Sequence, residues 1–408
     1  MYRVEAAPVG NDGIAIWHAA FAGLCANLVG IGLARFAYAP LIPALIAAQW
    51  LLPAQAVYLG AANLAGYLAG ALLAHRVTAR VPAGAVLRAM LLLAASSFFA
   101  CALPFSSLWF FAWRFAAGVA GGEIMALAAP SALKHVPPSR RGIVGGLIFT
   151  GVGLGIAASG MLVPLLLRLG LVATWCGLGL LSLVLTIASW RDWAADADRP
   201  AGVAARDVTA KRNRPPSPLA LKALYAEYAL NAVGLVPHMV FLVDLVTRGL
   251  GRGIASGARD WVIYGIGAIA GPVLAGHLAD RIGFRSALRL AYVVQAVAVA
   301  ALAATTGTGV LIVSSLVVGA FTPGIVPIVL GRIHELADDG GRKAGWSIAT
   351  TAFALGQAGA AYGYAAIFAG TGDYRLLFLL GGAALLLALA IDLAAAQLAS
   401  GPAGRVRL

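Results

Sequence analysis

The 408-residue chain is 61 % hydrophobic and only 11 % charged, with a mean hydropathy of +0.89 and a formal net charge of +13. Soluble domains carry about a quarter charged residues, so this composition excludes a water-soluble globular protein, and equally a disordered chain or a disulfide scaffold. The positive balance does not describe a nucleic-acid surface, because the basic residues lie in short segments between apolar runs and not on one face.

Apolar runs recur from end to end. At about 20 residues per span, they predict transmembrane helices near 15–47, 55–75, 85–104, 108–133, 142–167, 171–190, 219–247, 258–279, 287–305, 309–333, 344–369 and 374–398. Barrel strands would alternate with period two over about ten residues, which these runs do not. A helix is the other structure that satisfies its own backbone hydrogen bonds in lipid. The expected fold class is therefore an all-α polytopic membrane protein with twelve transmembrane helices. Residues 191–218, RDWAADADRPAGVAARDVTAKRNRPPSP, interrupt the series with charge and proline and read as a flexible linker. They divide the chain into an N-terminal six-helix half, 1–190, and a C-terminal six-helix half, 219–408. The first apolar run is too long for a cleavable signal peptide and begins behind Glu5 and Asp12. Cys25, Cys101 and Cys176 fall inside apolar runs without metal-ligand or redox spacing, and read as small buried hydrophobes.

Arginine and lysine crowd the termini and the even-numbered loops, as at Arg76, Arg80, Arg140, Arg141, Lys211, Arg212, Arg281, Arg285, Arg342 and Lys343. Positive loops stay on the cytoplasmic side, which predicts cytoplasmic termini and linker in a cell (inner or plasma) membrane. The excess charge then serves topology and attraction to anionic headgroups. One loop recurs. Leu278-Ala279-Asp280-Arg281-Ile282-Gly283-Phe284-Arg285 shares leucine, alanine and both arginines, at the same offsets, with Leu73-Ala74-His75-Arg76-Val77-Thr78-Ala79-Arg80. Two parallel six-helix repeats are the architecture of the major facilitator superfamily.

The second copy, from Gly276 to Arg285, resembles that superfamily's G-x-L-a-D-R-x-G-R-R loop, with Phe284 in place of one arginine. The first copy is degenerate, with His75 for aspartate and Thr78 for glycine. Arg114-x-x-x-Gly118-x-x-Gly121 is similar to the family's intramembrane arginine-glycine motif. The glycine-rich fifth span (Gly146, Gly151, Gly153, Gly155, Gly160) resembles the family's fifth helix but lacks its glycine-proline pair. The stretch from Gly30 to Pro43, GIGLARFAYAPLIP, looks like the first helix of the YbfB/YjiJ-type branch, and Phe353-Ala354-Leu355-Gly356-Gln357 resembles its glycine-glutamine segment. The resemblance implies solute transport, and it implies a conformational lock built from Asp280, Arg281 and Arg285. Positive-inside topology alone is the competing account of these arginines.

No phosphate-binding loop occurs, and Gly151-Val152-Gly153-Leu154-Gly155 sits inside an apolar helix, where it reads as a packing surface. Transport would therefore be passive or coupled to an ion gradient. Arg35, Arg114, Glu123 and Glu227 fall well within spans, where each would cost about 2.5–3.5 kcal/mol if it faced lipid. They are expected to face water, a partner or the bundle interior. Buried ion pairs or helix clamps are the alternative. Glu227, Asn231, Gly234 and His238 share one face of the seventh span. They read as cavity lining, with an internal polar network as the alternative. Asn63, Tyr67 and Gly70 align in the second span. In the eleventh, Gln357 stands out from a stripe of Trp346, Thr350, Phe353 and Tyr364. Arg114 and Glu123 lie on opposite faces of the fourth span. Pro40, Pro43, Pro323 and Pro327 mark expected kinks.

The reading that follows is a secondary transporter working by alternating access. Arg35, Arg114, Asn63, Asn231, His238 and Gln357 are the substrate-binding candidates, and Glu227 and Glu123 the proton-coupling ones. Arginine forks carboxylate or phosphate, so the expected solute is a small organic anion or zwitterion. Efflux of a drug-like compound by the same fold is the nearer alternative, and a non-transporting sensor or intramembrane enzyme the more distant one. No catalytic pair, metal cluster or cofactor motif is evident. The expected partners are the solute and the lipid bilayer, with the chain acting as a monomer.

Overall fold

The computed structural model describes residues 9–193 and 218–400, apart from 135, 138, 139, 339 and 340. The expected linker falls almost wholly outside the described residues, as do Lys211, Arg212 and both chain ends. The described residues hold no strand. They are α1 (Val9–Asn27, continuing through a π turn at Leu28–Leu33, a 3-10 turn at Phe36–Leu41 and a last α turn at Ile42–Ala47), α2 (Pro53–Thr78), α3 (Ala83–Cys101), α4 (Ser107–Leu133), α5 (Arg141–Leu167), α6 (Leu171–Ala188), α7 (Pro218–Val236, then π turns at Pro237–Phe241 and Leu245–Gly249), α8 (Gly253–Ile282), α9 (Phe284–Ala304), α10 (Thr308–Leu336), α11 (Arg342–Thr371) and α12 (Tyr374–Ser400). Eleven of these segments are long and apolar enough to cross a membrane. The segment outside that set is α11. It is 30 residues long, but Arg342, Lys343, Ser347, Thr350, Thr351 and Gln357 dilute its hydropathy.

Local chemistry sets the helix ends. Pro53 opens α2 where no backbone N–H is needed, and the Gln55 side-chain oxygen accepts from the Leu52 N–H at 2.9 Å. Ser106 caps α4 by accepting from the Trp109 N–H at 3.1 Å. Gly283 joins α8 to α9 at φ 83°, a left-handed conformation that a side chain would strain.

Lipid gives helices no hydrophobic reason to associate, so small residues that let backbones touch decide the packing. A Cβ placed on Gly66 of α2 would collide with the Phe115 carbonyl oxygen of α4, and one on Gly271 of α8 with the Ala320 carbonyl oxygen of α10. The chain spacing that separates Leu73 from Leu278 also carries Gly66 to Gly271 and Phe115 to Ala320. The repeated loop therefore belongs to a repeated helix contact. The run Gly151–Gly155 of α5 serves packing too: Gly151 and Gly155 back onto α1, and Gly153 onto α8. One apolar core lies wholly within residues 16–193. The other lies mainly in residues 224–389 and takes in Ile31, Phe36, Leu64 and Val152.

Candidate functional site

The centre of the molecule is organised by the break in α1. Regular α-helix stops at Asn27, and the chain passes Ala34 and Arg35 before the 3-10 turn. Arg114 of α4 fills the gap: its Nη1 donates to the Ala34 carbonyl at 2.7 Å, and its guanidinium carbon stands 4.4 Å from the Tyr38 ring centre. Asn63 of α2 steadies α4 by donating from Nδ2 to the Arg114 carbonyl at 3.0 Å. The Arg35 guanidinium lies 5.1 Å from the ring centres of both Phe36 and Tyr67, a cation–π setting. Its Nη2 points to the Met239 sulfur of α7 at 3.8 Å. Between these groups is a cavity of about 20 Å³, lined by Arg35, Phe36, Tyr38, Asn63, Arg114, Met239 and Val240 among others. That is room for about one water.

Two positive charges therefore share a small, mostly apolar chamber. Among the described residues, no Asp or Glu pairs with either. The titratable side chain against the Arg35 guanidinium is Tyr67, and that against Arg114 is Tyr38. Arg35 Nε, Arg114 Nε and Asn63 Oδ1 are buried without hydrogen-bond partners. Buried polar atoms are normally satisfied, and unpaired buried cations are costly.

The other candidates lie elsewhere. Gln357 of α11 reaches the rim by donating from Nε2 to the Met239 sulfur at 3.4 Å. Asn231 turns away from the cavity to α9, donating to Gln295 Oε1 at 3.1 Å, and Gln295 in turn donates to the Ala291 carbonyl. His238 turns to α10: its Nε2 is 2.7 Å from Ser314 Oγ, with the Phe378 ring edge-on at 5.1 Å. Gly234 backs onto Leu385 of α12. The polar face of α7 therefore turns onto the other helices of the second half, with Asn231 Oδ1 and His238 Nδ1 left without a hydrogen-bond partner. The π turn that contains His238 presents Met239, next along the chain, to the cavity. Glu227 is fully buried with Oε2 unpartnered. It lies within electrostatic range of Asp392, Arg332, Arg285 and Arg289, away from the chamber. Glu123 is also buried with Oε2 unpartnered, on the face of α4 opposite Arg114.

Of the lock candidates, Asp280 and Arg281 are exposed and make no hydrogen bond or ion pair to a described residue. Arg285 donates from Nε to Asp392 of α12 at 3.2 Å, and Arg289 pairs with the same carboxylate. Sequence reasoning passed over Arg289 and Asp392. It likewise passed over Asp244, which accepts from Arg248 at 2.5 Å and from the Tyr374 hydroxyl at 2.6 Å, and Asp260, which accepts from Arg259. All four lie inside or at the edge of apolar runs, so a scan for every charge within a few residues of a run's end would have found them. Asp392→Asn leaves two arginines to share a neutral amide. It is expected to lower the thermal midpoint of the solubilised protein by about 3 °C or more, measured by tryptophan fluorescence.

Membrane-crossing helices packed around a central cavity are the layout of many integral membrane transporters. The match of residues 27–393 to the family described as "Uncharacterised MFS-type transporter YbfB" shows that the chain belongs to that family. Among solved structures, the crystal structure of a bacterial homologue of the iron transporter ferroportin in the outward-facing state has a similar fold. Its TM-score is 0.61 at 15 % identity, covering 94 % of this chain and 99 % of that one. No curated protein matches the sequence.

Proposed function

We propose that the chain is a secondary transporter of a small organic anion. Twelve transmembrane helices would form two six-helix bundles, residues 1–190 and 219–408, that rock about the Arg35–Arg114 chamber and expose it alternately to each side. The observation that carries the reading is the pair of guanidiniums, that of Arg114 buried and that of Arg35 part-buried, with no carboxylate paired to either among the described residues. The shared spacing of loop and glycine contact in the two halves supports the two bundles. In this state the chamber has room for about one water, so even a small organic anion requires the bundles to part around it, and a drug-sized solute, at roughly 300 Å³ or more, requires far more. Placement in the cell (inner or plasma) membrane with cytoplasmic termini follows from the arginine distribution, and a monomer suffices because one chain supplies both halves of the site.

The test is uptake of a panel of organic anions into proteoliposomes. Arg35→Ala is expected to cut the rate at least about tenfold, through loss of a charge-assisted contact. An Arg35→Ala protein that inserts normally and transports at the wild-type rate would remove the anion site. We further propose that protons drive the cycle through Glu227, a buried carboxylate with an unpartnered oxygen among arginines. Glu227→Gln is expected to keep exchange of solute across the membrane but lose the acceleration produced by an imposed pH gradient. If uptake by Glu227→Gln follows the gradient as the wild type does, Glu227 is not the coupling group. Asp280, Arg281 and Arg285 remain candidates for a lock that forms in another state of the cycle.

A further inference from the structure

The polar atoms of the chamber specify more than negative charge. Asn63 commits its Nδ2 to the Arg114 carbonyl, a group that only accepts, so the free atom is unambiguously the acceptor Oδ1. The chamber is therefore lined by two guanidinium-bearing residues and by Asn63, whose Oδ1 is a buried acceptor with no donor of its own. An ammonium group would fit that acceptor poorly. It would sit against two cations with no described carboxylate to offset them, and the Tyr38 face that could receive it is taken by Arg114. A hydroxyl satisfies the acceptor without adding charge. The remaining wall, Phe36, Ile42, Leu64, Met239 and Val240, suits a hydrocarbon body better than a bare inorganic anion.

We infer that the transported solute is a small hydroxylated monocarboxylate, its carboxylate held by Arg35 and Arg114 and its hydroxyl donating to Asn63 Oδ1 once the chamber has widened beyond the one-water volume of this state. The inference rests on the anion reading of the same chamber. A site built to receive a hydroxyl rejects the analogue that lacks it, because its own polar atom is then left unpaired.

The experiment uses the full-length protein in proteoliposomes and compares lactate and glycerate with propionate, alanine and inorganic phosphate, by counterflow and by thermal stabilisation. Lactate or glycerate is expected to exchange at least about tenfold better than propionate, with alanine and phosphate weaker still. Asn63→Leu is expected to bring the lactate-to-propionate ratio close to one. Because the comparison among solutes in the wild type needs no variant, misfolding of Asn63→Leu would not shield the inference. Equal handling of lactate and propionate, or preference for alanine or phosphate, overturns the hydroxyl assignment and leaves the anion site standing. Failure of every anion, combined with insensitivity of any other transported solute to Arg35→Ala, overturns the anion site itself.

Discussion

Arg114→Ala is expected to abolish uptake, with a rate at least about 100-fold below wild type, the effect of roughly 2.7 kcal/mol of lost interaction. Two losses combine. The chamber loses one of its two cations, and the Ala34 carbonyl loses the donor that now stands 2.7 Å away. An unpaired buried acceptor costs about 1–3 kcal/mol, so the variant should also melt earlier. Arg114→Lys separates the two effects. Lysine keeps the charge but is a point donor where arginine is a planar fork. It cannot both bond Ala34 and lie flat on Tyr38 while facing the cavity, and an intermediate rate, about tenfold below wild type, is expected. Full transport by a correctly inserted Arg114→Ala protein would show that the guanidinium acts only as a clamp on α1.

Gly271→Val is expected to have the largest effect on folding. The α8 backbone touches the α10 backbone at this point, and the new Cβ would overlap the Ala320 carbonyl oxygen, which cannot rotate away. The helices must separate, with the loss of packing that holds them together in lipid. Overpacking of this kind costs about 1–3 kcal/mol, occasionally more, and here the obstacle is backbone, which places the effect at the upper end. Gly66→Val, at the matching position of α2, should behave alike. Gly276→Ala lies five residues further along α8, where a Cβ meets nothing within 4 Å, and should be neutral. Yield of monodisperse protein and its thermal midpoint in detergent read all three. A Gly271→Val protein as stable as Gly276→Ala would mean that the contact is looser than drawn.

Hydropathy made the helices legible, because a chain in lipid can hide its backbone in few ways. The same logic singled out Arg35 and Arg114, charges too deep for topology alone. It was less informative at run ends. Asp244, Asp260 and Asp392 lie where a charge reads as the start of a loop, and their arginine partners include residues more than a hundred positions away, as with Arg285 and Asp392. The helical wheel for α7 placed Glu227, Asn231, Gly234 and His238 on one face. A wheel states which residues share a face and not which neighbour receives it. That face meets α9, α10 and α12, whose Gln295 and Ser314 supply the complementary polar atoms. Met239 carries no polar signal in the sequence, yet it touches both Arg35 and Gln357. The break in α1 was legible only as two prolines, and the unwound stretch begins before either of them.

The bond from Arg114 to Ala34 makes one side chain answerable to two claimants. A solute that draws the guanidinium toward itself must leave that carbonyl to water or to a rewound turn of α1. If the anion reading holds, filling the chamber and straightening the first helix would become a single equilibrium, in which cargo works as the lever and the backbone as the spring.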